Sequence, residues 1–296
     1  MTATGQKAEQ DAGSGAQTRP ILIGLLGRNI GRSRTPRMHL AAAEGLGLPY
    51  EYRILDAHQE GLPETAAEIL DLLEAEGFNG INVTYPYKRA VVSLMDELSP
   101  AVQAVGAVNT VVFREGRRFG HNTDYWGFGE SLRRGLPEAK RDTVLLVGAG
   151  GAGAAVSHAL IDAGVGRLLV YDLQVDTAQA LVAALENHAG PGRAEVASDP
   201  ADVMTTVDGV VNASPVGMDA HPGIPVPVDA LRPDHWVADI IYFPLETELL
   251  ATARRLGCAV LPGSGMALFQ AVRAFELFTG RKPDIERMRA SFDSFS

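Results

Sequence analysis

The sequence predicts an α/β protein with two parts, the second of which is built on a doubly wound parallel sheet. Short apolar runs alternate with stretches of helical spacing from Ile21 to Phe292, the pattern expected of βαβ units. The run at 144–147 is apolar at every position, as expected for a strand covered on both faces. A glycine-rich turn and an Ala-rich stretch of helical spacing follow it directly, which is typical of a strand–turn–helix unit.

The first part follows a polar segment, residues 1–19, which lacks the apolar centre of a signal peptide and is expected to be a disordered tail. Pro36 suits the first turn of a helix, and Ile69, Leu72 and Leu73 share one helical face. The predicted elements are a strand at 21–26, a glycine-containing loop at 27–36, a helix from about 36, a strand at 50–55, a helix at 65–76, a strand at 81–84, a helix opened by 85–88, and a strand at 108–113 with a turn at 115–116.

The glycine-rich turn has the spacing of a dinucleotide-binding loop. Gly148, Gly150 and Gly153 form G-x-G-x-x-G before a helix at 154–163, and only this context makes the pattern informative. Gly148 permits the tight turn, Gly150 lets the backbone approach a pyrophosphate, and Gly153 lets the helix pack closely on the strand. The N–H groups and positive dipole at the helix start favour an anion.

The end of the next strand, 167–171, indicates which dinucleotide binds. Asp172 follows it about 20 residues past the glycines, where a carboxylate accepts the ribose hydroxyls of NAD. No Arg or Lys follows until Arg193, so a 2′-phosphate would meet repulsion from Asp172 and Asp176. We therefore predict NAD rather than NADP; the alternative is an acid that merely caps the strand.

The second part continues the alternation of helix and strand. The predicted elements are a helix at 177–188, strands at 208–212 and 236–241, a helix at 246–256, a strand at 259–261, and a final helix pair at 266–280 and 284–292. Because the nucleotide sheet is complete before that pair, we expect the pair to return to the first part. The predicted domains are a tail at 1–19, a substrate-binding domain at 20–121 and 264–296, and a Rossmann-type nucleotide domain at 122–263.

Composition excludes several classes of protein. With 46% hydrophobic and 21% charged residues the chain is expected to be globular and soluble, and its net charge of −10 disfavours nucleic acid and anionic membranes as partners. No stretch approaches the length of a membrane span. Cys258 is the single cysteine, which excludes an internal disulfide and suits a reducing cytoplasm. The sequence does not define an oligomeric state, although homodimers are the commonest assemblies.

Polar clusters follow or precede strands of the first part. They combine hydroxyls, amides, one lysine and one aspartate, which suits a compact polyhydroxylated molecule. The clusters are Ser33–Thr35, Asn82–Lys88, Asn109 and Asn122–Asp124.

Each cluster also has a purely structural interpretation. Ser33 and Thr35 could cap a helix, Asp124 could cap a helix at 125–134, and Lys88 could be a solvated surface lysine. Metal ligation is not expected, because the histidines lack partners at metal-ligand spacing. These histidines are His39, His121 and His221.

Together the motifs resemble the shikimate dehydrogenase family, and in particular its quinate/shikimate dehydrogenase branch. The resemblance extends from Ile21 to about Met288. It rests on Ser33-Arg-Thr-Pro36, Asn82-Val-Thr-Tyr-Pro-Tyr-Lys88, Gly106-Ala-Val-Asn-Thr110, Asn122-Thr-Asp124, Gly148-Ala-Gly-Gly-Ala-Gly153, Asn212-Ala-Ser-Pro-Val-Gly-Met218, and Gly265-Met266 with Gln270.

The resemblance implies NAD-dependent oxidation of the C3 hydroxyl of quinate and shikimate, with Lys88 and Asp124 as the acid–base pair. It assigns the substrate carboxylate to Ser33, Thr35 and Tyr242. Ring hydroxyls would be held by Thr84, Lys88, Asn109, Asp124 and Gln270. The cofactor would contact Gly148, Ala149, Gly150, Gly151, Ala152, Gly153, Asp172, Asn212, Ser214, Pro215, Gly217, Met218, Gly263 and Met266.

The role of Lys88 as a base requires a particular environment. A nearby carboxylate stabilises the charged form of a lysine. Desolvation must therefore outweigh Asp124, or the two groups must share a proton. The oxidation releases a proton, so we expect quinate oxidation to be favoured at alkaline pH.

Two departures from the biosynthetic, NADP-linked pattern favour the quinate branch. The chain has Ser33-x-Thr35 instead of Ser-x-Ser, and Asp172-Leu-Gln instead of Asn-Arg-Thr. The resemblance thus implies quinate catabolism. The alternatives are an NADP-dependent shikimate dehydrogenase of aromatic amino acid biosynthesis, a relative acting on an amino-substituted analogue and, from a different class, a catalytically silent NAD- or shikimate-binding regulator.

Overall fold

A computed structural model describes residues 19–57 and 61–294, so the predicted tail lies outside the described residues except for Arg19. The strands of the described residues form two six-stranded sheets. The first has the order β2-β1-β3-β5-β6-β4. Its strands are β1 (Ile21–Gly27), β2 (Tyr50–Asp56), β3 (Gly80–Val83), β4 (Glu97–Leu98), β5 (Thr110–Arg114) and β6 (Arg117–His121).

The first sheet is mixed, because β5 runs antiparallel to both β3 and β6 whereas β1, β2 and β3 are parallel. Antiparallel pairing lets the chain turn back through a tight turn, and β5 and β6 are joined at Glu115 and Gly116, both at positive φ. The helices of this region are α1 (Thr35–Gly45), α2 (Ala66–Ala75), α3 (Pro100–Val105) and α4 (Thr123–Gly135).

The second sheet is parallel throughout, with the order β12-β11-β10-β7-β8-β9. This confirms the doubly wound sheet, whose order reverses between β7 and β10. Its strands are β7 (Thr143–Val147), β8 (Arg167–Tyr171), β9 (Ala194–Val196), β10 (Gly209–Asn212), β11 (Trp236–Asp239) and β12 (Ala259–Leu261). The remaining helices are α5 (Gly151–Asp162), α6 (Val175–Ala189), α7 (Pro200–Val203), α8 (Glu248–Leu256), α9 (Gly263–Thr279) and α10 (Ile285–Asp293).

Strand β7 is covered on both faces, as its apolar sequence predicts. Val144 and Leu146 pack in one core cluster with α5, whereas Leu145 and Val147 pack in another with α8. Because successive side chains of a strand point to opposite faces, only an apolar run without alternation can fill both layers.

The C-terminal helices return to the first part, as expected. Met38 and Ala42 of α1 share a buried cluster with Phe275 of α9 and with Met288 and Phe292 of α10. Helix α9 also crosses α4 closely: a Cβ added at Gly127 would lie 2.6 Å from the backbone nitrogen of Gln270. The domain limits at 121/122 and 263/264 stay predictions.

One predicted element is wrong. Residues 85–88 do not open an α-helix; they lie in a series of turns that leads to a short 3₁₀-helix at Val92–Leu94. The carbonyl of Tyr85 accepts the N–H of Arg28, in the loop after β1, at 3.0 Å. It is therefore engaged with another segment instead of with the next helical turn. The sequence pattern did not predict β4, β6, β9, α3 and α7.

Candidate active site

A cavity of about 700 Å³ lies between the carboxyl ends of the two sheets. The first sheet contributes the loop from β1 to α1, the end of β3 and the residue before β5. The second sheet contributes the loops after β7, β10 and β11, and helices α4, α9 and α10 complete the wall. This is the crevice in which open α/β sheets bind ligands.

Lys88 and Asp124 meet at this cavity. Lys88 Nζ donates to Asp124 Oδ2 at 2.6 Å, and their side chains are 26% and 14% exposed. Asp124 lies in the first turn of α4, but the cap of that helix is Asn122, whose Oδ1 accepts the N–H of Tyr125 at 3.0 Å. The capping interpretation of Asp124 is therefore wrong, and its carboxylate faces Lys88 instead.

The loop before α1 brings Ser33 and Thr35 to the cavity. Neither hydroxyl caps α1, since the cap residue is Arg34 and the helix start has no side-chain cap. Ser33 Oγ accepts the N–H of Thr35 at 3.3 Å. Tyr242 lies on the same wall in the loop after β11.

The predicted ring-hydroxyl ligands also line the cavity. Thr84 follows β3, and Gln270 comes from α9, where its Nε2 donates to the carbonyl of Ala267 at 3.1 Å. Asn109 is 4% exposed, and its Oδ1 accepts the N–H of Thr123 at 2.7 Å. The structure thus brings every predicted substrate residue to one cavity.

The glycine loop has the conformation that its spacing predicts. Gly148 has φ +101°, and a Cβ there would lie 2.6 Å from the nitrogen of Ser214. A Cβ on Gly153 would lie 2.0 Å from the carbonyl oxygen of Gly148, so α5 packs against the loop itself. Gly150 and Gly151 face open space at the uncapped start of α5. Exposed backbone N–H groups at a helix start fit a pyrophosphate.

The predicted cofactor residues divide into two groups. One lines the cavity: Gly150, Gly151, Ala152, Ser214, Pro215, Met218 and Met266. The other lies behind that surface or beside it: Gly148, Ala149, Gly153, Asp172, Asn212, Gly217 and Gly263.

Asn212 shows why a residue of the second group does not reach the cavity. Its Oδ1 accepts the N–H and the hydroxyl of Ser214, and its Nδ2 donates to the carbonyl of Val216 and to Asp239. Asp239 is 2% exposed and also accepts from Thr247 at 2.7 Å. Burial raises the pKa of Asp239 to about 6. Both side chains organise the loop after β10 from within.

Asp172 lies against the glycine loop. Its Oδ2 accepts the N–H of Ala149 at 2.8 Å, and its Oδ1 accepts the N–H of Gln174 at 2.9 Å. The flanking cations lie at the opposite end of the sheet: Arg193 precedes β9 and donates to carbonyls of the loop before β8, and Arg167 at the start of β8 pairs with Glu195.

Arg34 is a cavity residue that the sequence analysis missed. It is 4% exposed and its guanidinium lies 4.6 Å from the ring centres of both Phe243 and Phe292. It also donates to the carbonyl of Phe292 at 2.8 Å. Arg34 thereby fastens the end of α10 to the loop before α1, and only its place within Ser33-Arg-Thr35 could have indicated it.

Within residues 19–57 and 61–294, no group of His, Cys, Asp and Glu side chains is arranged to hold a metal ion. Across the same residues, no helix combines the length and apolar character that crossing a membrane requires.

Comparison with known proteins decides the family. The model of the shikimate dehydrogenase substrate-binding domain matches residues 25–111, and that of the shikimate 5′-dehydrogenase C-terminal domain matches 263–291. A shikimate dehydrogenase (NADP(+)) of Streptomyces avermitilis is 52% identical over 272 residues, covering 91% of this chain and 94% of the relative. The chain belongs to the shikimate dehydrogenase family.

Relatives of both cofactor types are similar to the chain. A quinate/shikimate dehydrogenase (NAD(+)) of Corynebacterium glutamicum strain R is 49% identical, covering 92% of this chain and 98% of the relative. The solved quinate dehydrogenase of Corynebacterium glutamicum, in complex with NAD, is 47% identical with a TM-score of 0.89, covering 93% of this chain and 99% of that one. Membership makes the chain an oxidoreductase that uses a pyridine nucleotide.

Proposed function

We propose that the chain oxidises the C3 hydroxyl of quinate and of shikimate reversibly, to 3-dehydroquinate and 3-dehydroshikimate, with NAD as cofactor. The observation that carries this is the 2.6 Å contact between Lys88 and Asp124, at a cavity that also holds the start of α5. A proton-transfer group and a pyrophosphate-binding loop thus face the same volume. A catalytically silent regulator would not need the pair.

In this proposal Lys88 Nζ takes the proton of the C3 hydroxyl during oxidation and returns it during reduction. Asp124 holds Nζ in place and accepts from the substrate. Bound beside them, the nicotinamide supplies the hydride-accepting carbon. Ser33, Thr35 and Tyr242 orient the substrate carboxylate.

The remaining ring contacts come from Thr84, Asn109 and Gln270, which line the same cavity. Many directional contacts to a small ring fix the C3 carbon in one orientation, which is how a site gains effective concentration. Met218 of the loop after β10 and Met266 of α9 add apolar surface to the cavity wall.

Asp172 supports NAD over NADP. Its carboxylate is held at the glycine loop by two backbone N–H groups, while Arg167 and Arg193 lie at the other end of the sheet. A 2′-phosphate near Asp172 would meet a like charge, which costs several kcal/mol when water is excluded. This assignment favours quinate catabolism.

The second candidate is an NADP-dependent shikimate dehydrogenase, which the 52% identical Streptomyces relative favours. Initial rates of the purified protein with NAD and NADP, each against quinate and shikimate, separate the two. Oxidation of both substrates with NAD supports our proposal. Activity with NADP and shikimate alone would assign the biosynthetic reaction.

A variant pair tests the role of Asp172 directly. Asp172→Asn is expected to reduce the preference for NAD over NADP by about tenfold or more, the equivalent of 1.4 kcal/mol. Glu195→Gln, which removes a carboxylate of β9 that pairs with Arg167, is the matched control and should leave the preference unchanged. Equal effects of both variants would contradict the role of Asp172. A cytoplasmic location and a homodimeric state stay predictions.

A further inference from the structure

A chain of hydrogen bonds runs beneath the cavity from Tyr52 to Asn109. Tyr52 Oη donates to Asn82 Oδ1 at 2.8 Å, and Asn82 Nδ2 donates to Thr110 Oγ1 at 3.1 Å. Thr110 Oγ1 in turn lies 3.1 Å from Asn109 Oδ1, to which it donates. Neither Tyr52 nor Thr110 was predicted to be a site residue.

The sheet brings these groups together. Asn82 of β3 lies opposite Thr110 in the antiparallel pair of β3 and β5, where facing side chains are close enough to bond. Asn82, Thr110 and Asn109 are 4%, 0% and 4% exposed. Buried polar groups with defined partners hold one arrangement, because breaking any bond leaves a donor or acceptor unsatisfied.

The orientation of the Asn109 amide is fixed by a group that can only donate. The backbone N–H of Thr123 lies 2.7 Å from the Asn109 side chain, so the atom that it meets is Oδ1. The hydroxyl of Thr123 also donates to this oxygen, at 3.2 Å. Asn109 lines the cavity, so its Nδ2 is the amide group left to meet a ligand there.

The orientation of Asn82 depends on Tyr52. With Tyr52 donating to Oδ1, Asn82 presents Nδ2 to Thr110, and the single hydroxyl proton of Thr110 is directed to Asn109. Burial raises the pKa of the Tyr52 hydroxyl, so it keeps its proton. If Tyr52 could not donate, the amide of Asn82 could turn and accept that Thr110 proton itself.

We propose that Tyr52 is a positioning residue for the substrate: its hydroxyl sets the orientation of the Asn82 amide, so that Asn82 presents its Nδ2 group to the oxygens of the substrate ring beside the Nδ2 group of Asn109. This rests on the proposed function. A hydroxyl and a carbonyl oxygen both accept hydrogen bonds. The same arrangement therefore serves the alcohol and the ketone.

Tyr52→Phe tests this with a matched control two residues away on the same strand. Tyr50 is also a tyrosine of β2, but its hydroxyl lies 2.9 Å from His39 Nδ1 and not in the chain of hydrogen bonds from Tyr52 to Asn109. Tyr52→Phe is expected to raise the KM for quinate and for shikimate about tenfold, which is the effect of losing one buried hydrogen bond. The KM for the nucleotide should not change. Tyr50→Phe also removes one hydrogen bond of a buried group, but it should leave both KM values unchanged.

A second set of variants tests whether the residues act through one path. Thr110→Val breaks the chain at its centre and should raise the substrate KM as Tyr52→Phe does, whereas Thr110→Ser keeps the hydroxyl and should restore it. The double variant Tyr52→Phe/Thr110→Val should be no worse than either single variant, because residues on one path are not additive.

The outcomes separate the two proposals. Suppose that the wild type is active. Equal substrate KM values for Tyr52→Phe and Tyr50→Phe would then overturn the role of Tyr52, and so would multiplicative losses in the double variant. Either result would leave the proposed function in place. A wild type without activity on quinate or shikimate would overturn both. Failure of Tyr52→Phe to fold leaves the Thr110 pair to decide.

Discussion

The two sides of the cavity present different atoms: the first sheet faces the proposed substrate and the second sheet faces the proposed nucleotide. The first sheet presents side-chain amides, hydroxyls and the Lys88–Asp124 pair, most of them oriented by further hydrogen bonds. The second sheet presents backbone at Gly150 and Gly151, where a side chain is absent. The substrate side is therefore sensitive to the loss of one polar atom, whereas the nucleotide side is sensitive to added volume.

Each side also buries a titratable group, and the two groups make stability depend on pH in opposite directions. His39 is fully buried against Tyr50, Tyr52 and Phe275, and burial lowers its pKa to about 3. Asp239 lies beneath the loop after β10 with its pKa raised to about 6. Burial favours the neutral form of each group, so acid weakens the substrate side and base weakens the nucleotide side.

Removing the proton-transfer group should separate the two sides most strongly. Lys88→Ala is expected to lower kcat by about 10²–10⁴-fold, the usual contribution of a positioned acid–base group, while nucleotide binding measured by fluorescence titration stays unchanged. The exposed neighbour Arg89 provides the control, and Arg89→Ala should retain the wild-type kcat. A variant of Lys88 with full activity would exclude this residue as the base.

His39→Gln should remove an acid sensitivity of the substrate side. The folded-state pKa of His39 lies below the unfolded value of 6.5, so the unfolded chain binds the proton first. Its contribution to the free energy of unfolding is therefore lost as pH falls, by about 1.4 kcal/mol per unit and up to about 5 kcal/mol. Urea unfolding of wild type and variant between pH 7 and 4.5 measures this, and parallel curves would contradict it.

Asp239→Asn should show the opposite dependence with a smaller amplitude. The folded-state pKa of Asp239 lies above its ordinary value of 3.8, so its favourable contribution is complete below about pH 4 and is lost as pH rises through 6. The difference corresponds to about 3 kcal/mol. The variant should therefore gain in stability relative to wild type from pH 4.5 to 7. If the difference in free energy of unfolding between variant and wild type does not change with pH, burial does not destabilise the charged carboxylate.

Two glycines of α4 test the packing of α4 against α9, and their variants have the smallest expected effects. A Cβ at Gly127 would lie 2.6 Å from the backbone of α9, whereas one at Gly129 would meet nothing within 4 Å. Gly127→Ala should cost about 1–3 kcal/mol by overpacking, and Gly129→Ala should gain about 0.5–1 kcal/mol from helix propensity. Equal melting temperatures for the two variants would contradict this contact.

The fold of the nucleotide side follows from the sequence more directly than the fold of the substrate side, because its signals are local. Gly148, Gly150 and Gly153 lie within one turn, and their conformational roles follow from spacing alone. The substrate residues come from distant segments, and their grouping depended on the resemblance to a family. The interpretation of Asn212 as a cofactor ligand did not include the internal bonds that its amide makes.

What the sequence could not predict depends on pairings between distant segments. The contact of Asn82 with Thr110 requires the antiparallel register of β3 and β5. The expected helix at 85–88 is replaced by turns, and the Tyr85 carbonyl bonds to Arg28 of a distant loop. The lysine that such a helix would have carried still reaches Asp124. Local periodicity carries no information about such partners.

The return of α9 and α10 to the first sheet has a consequence for synthesis on the ribosome. The last strand of the second sheet ends at Leu261, whereas Met38 and Ala42 stay uncovered until α9 and α10 have been synthesised. The half that is made first is therefore the half that matures last. We expect nascent chains whose residues up to Leu261 have left the ribosome, with α9 and α10 still inside the exit tunnel, to protect the second sheet but not α1 from a protease; protection of α1 at this stage would contradict this order.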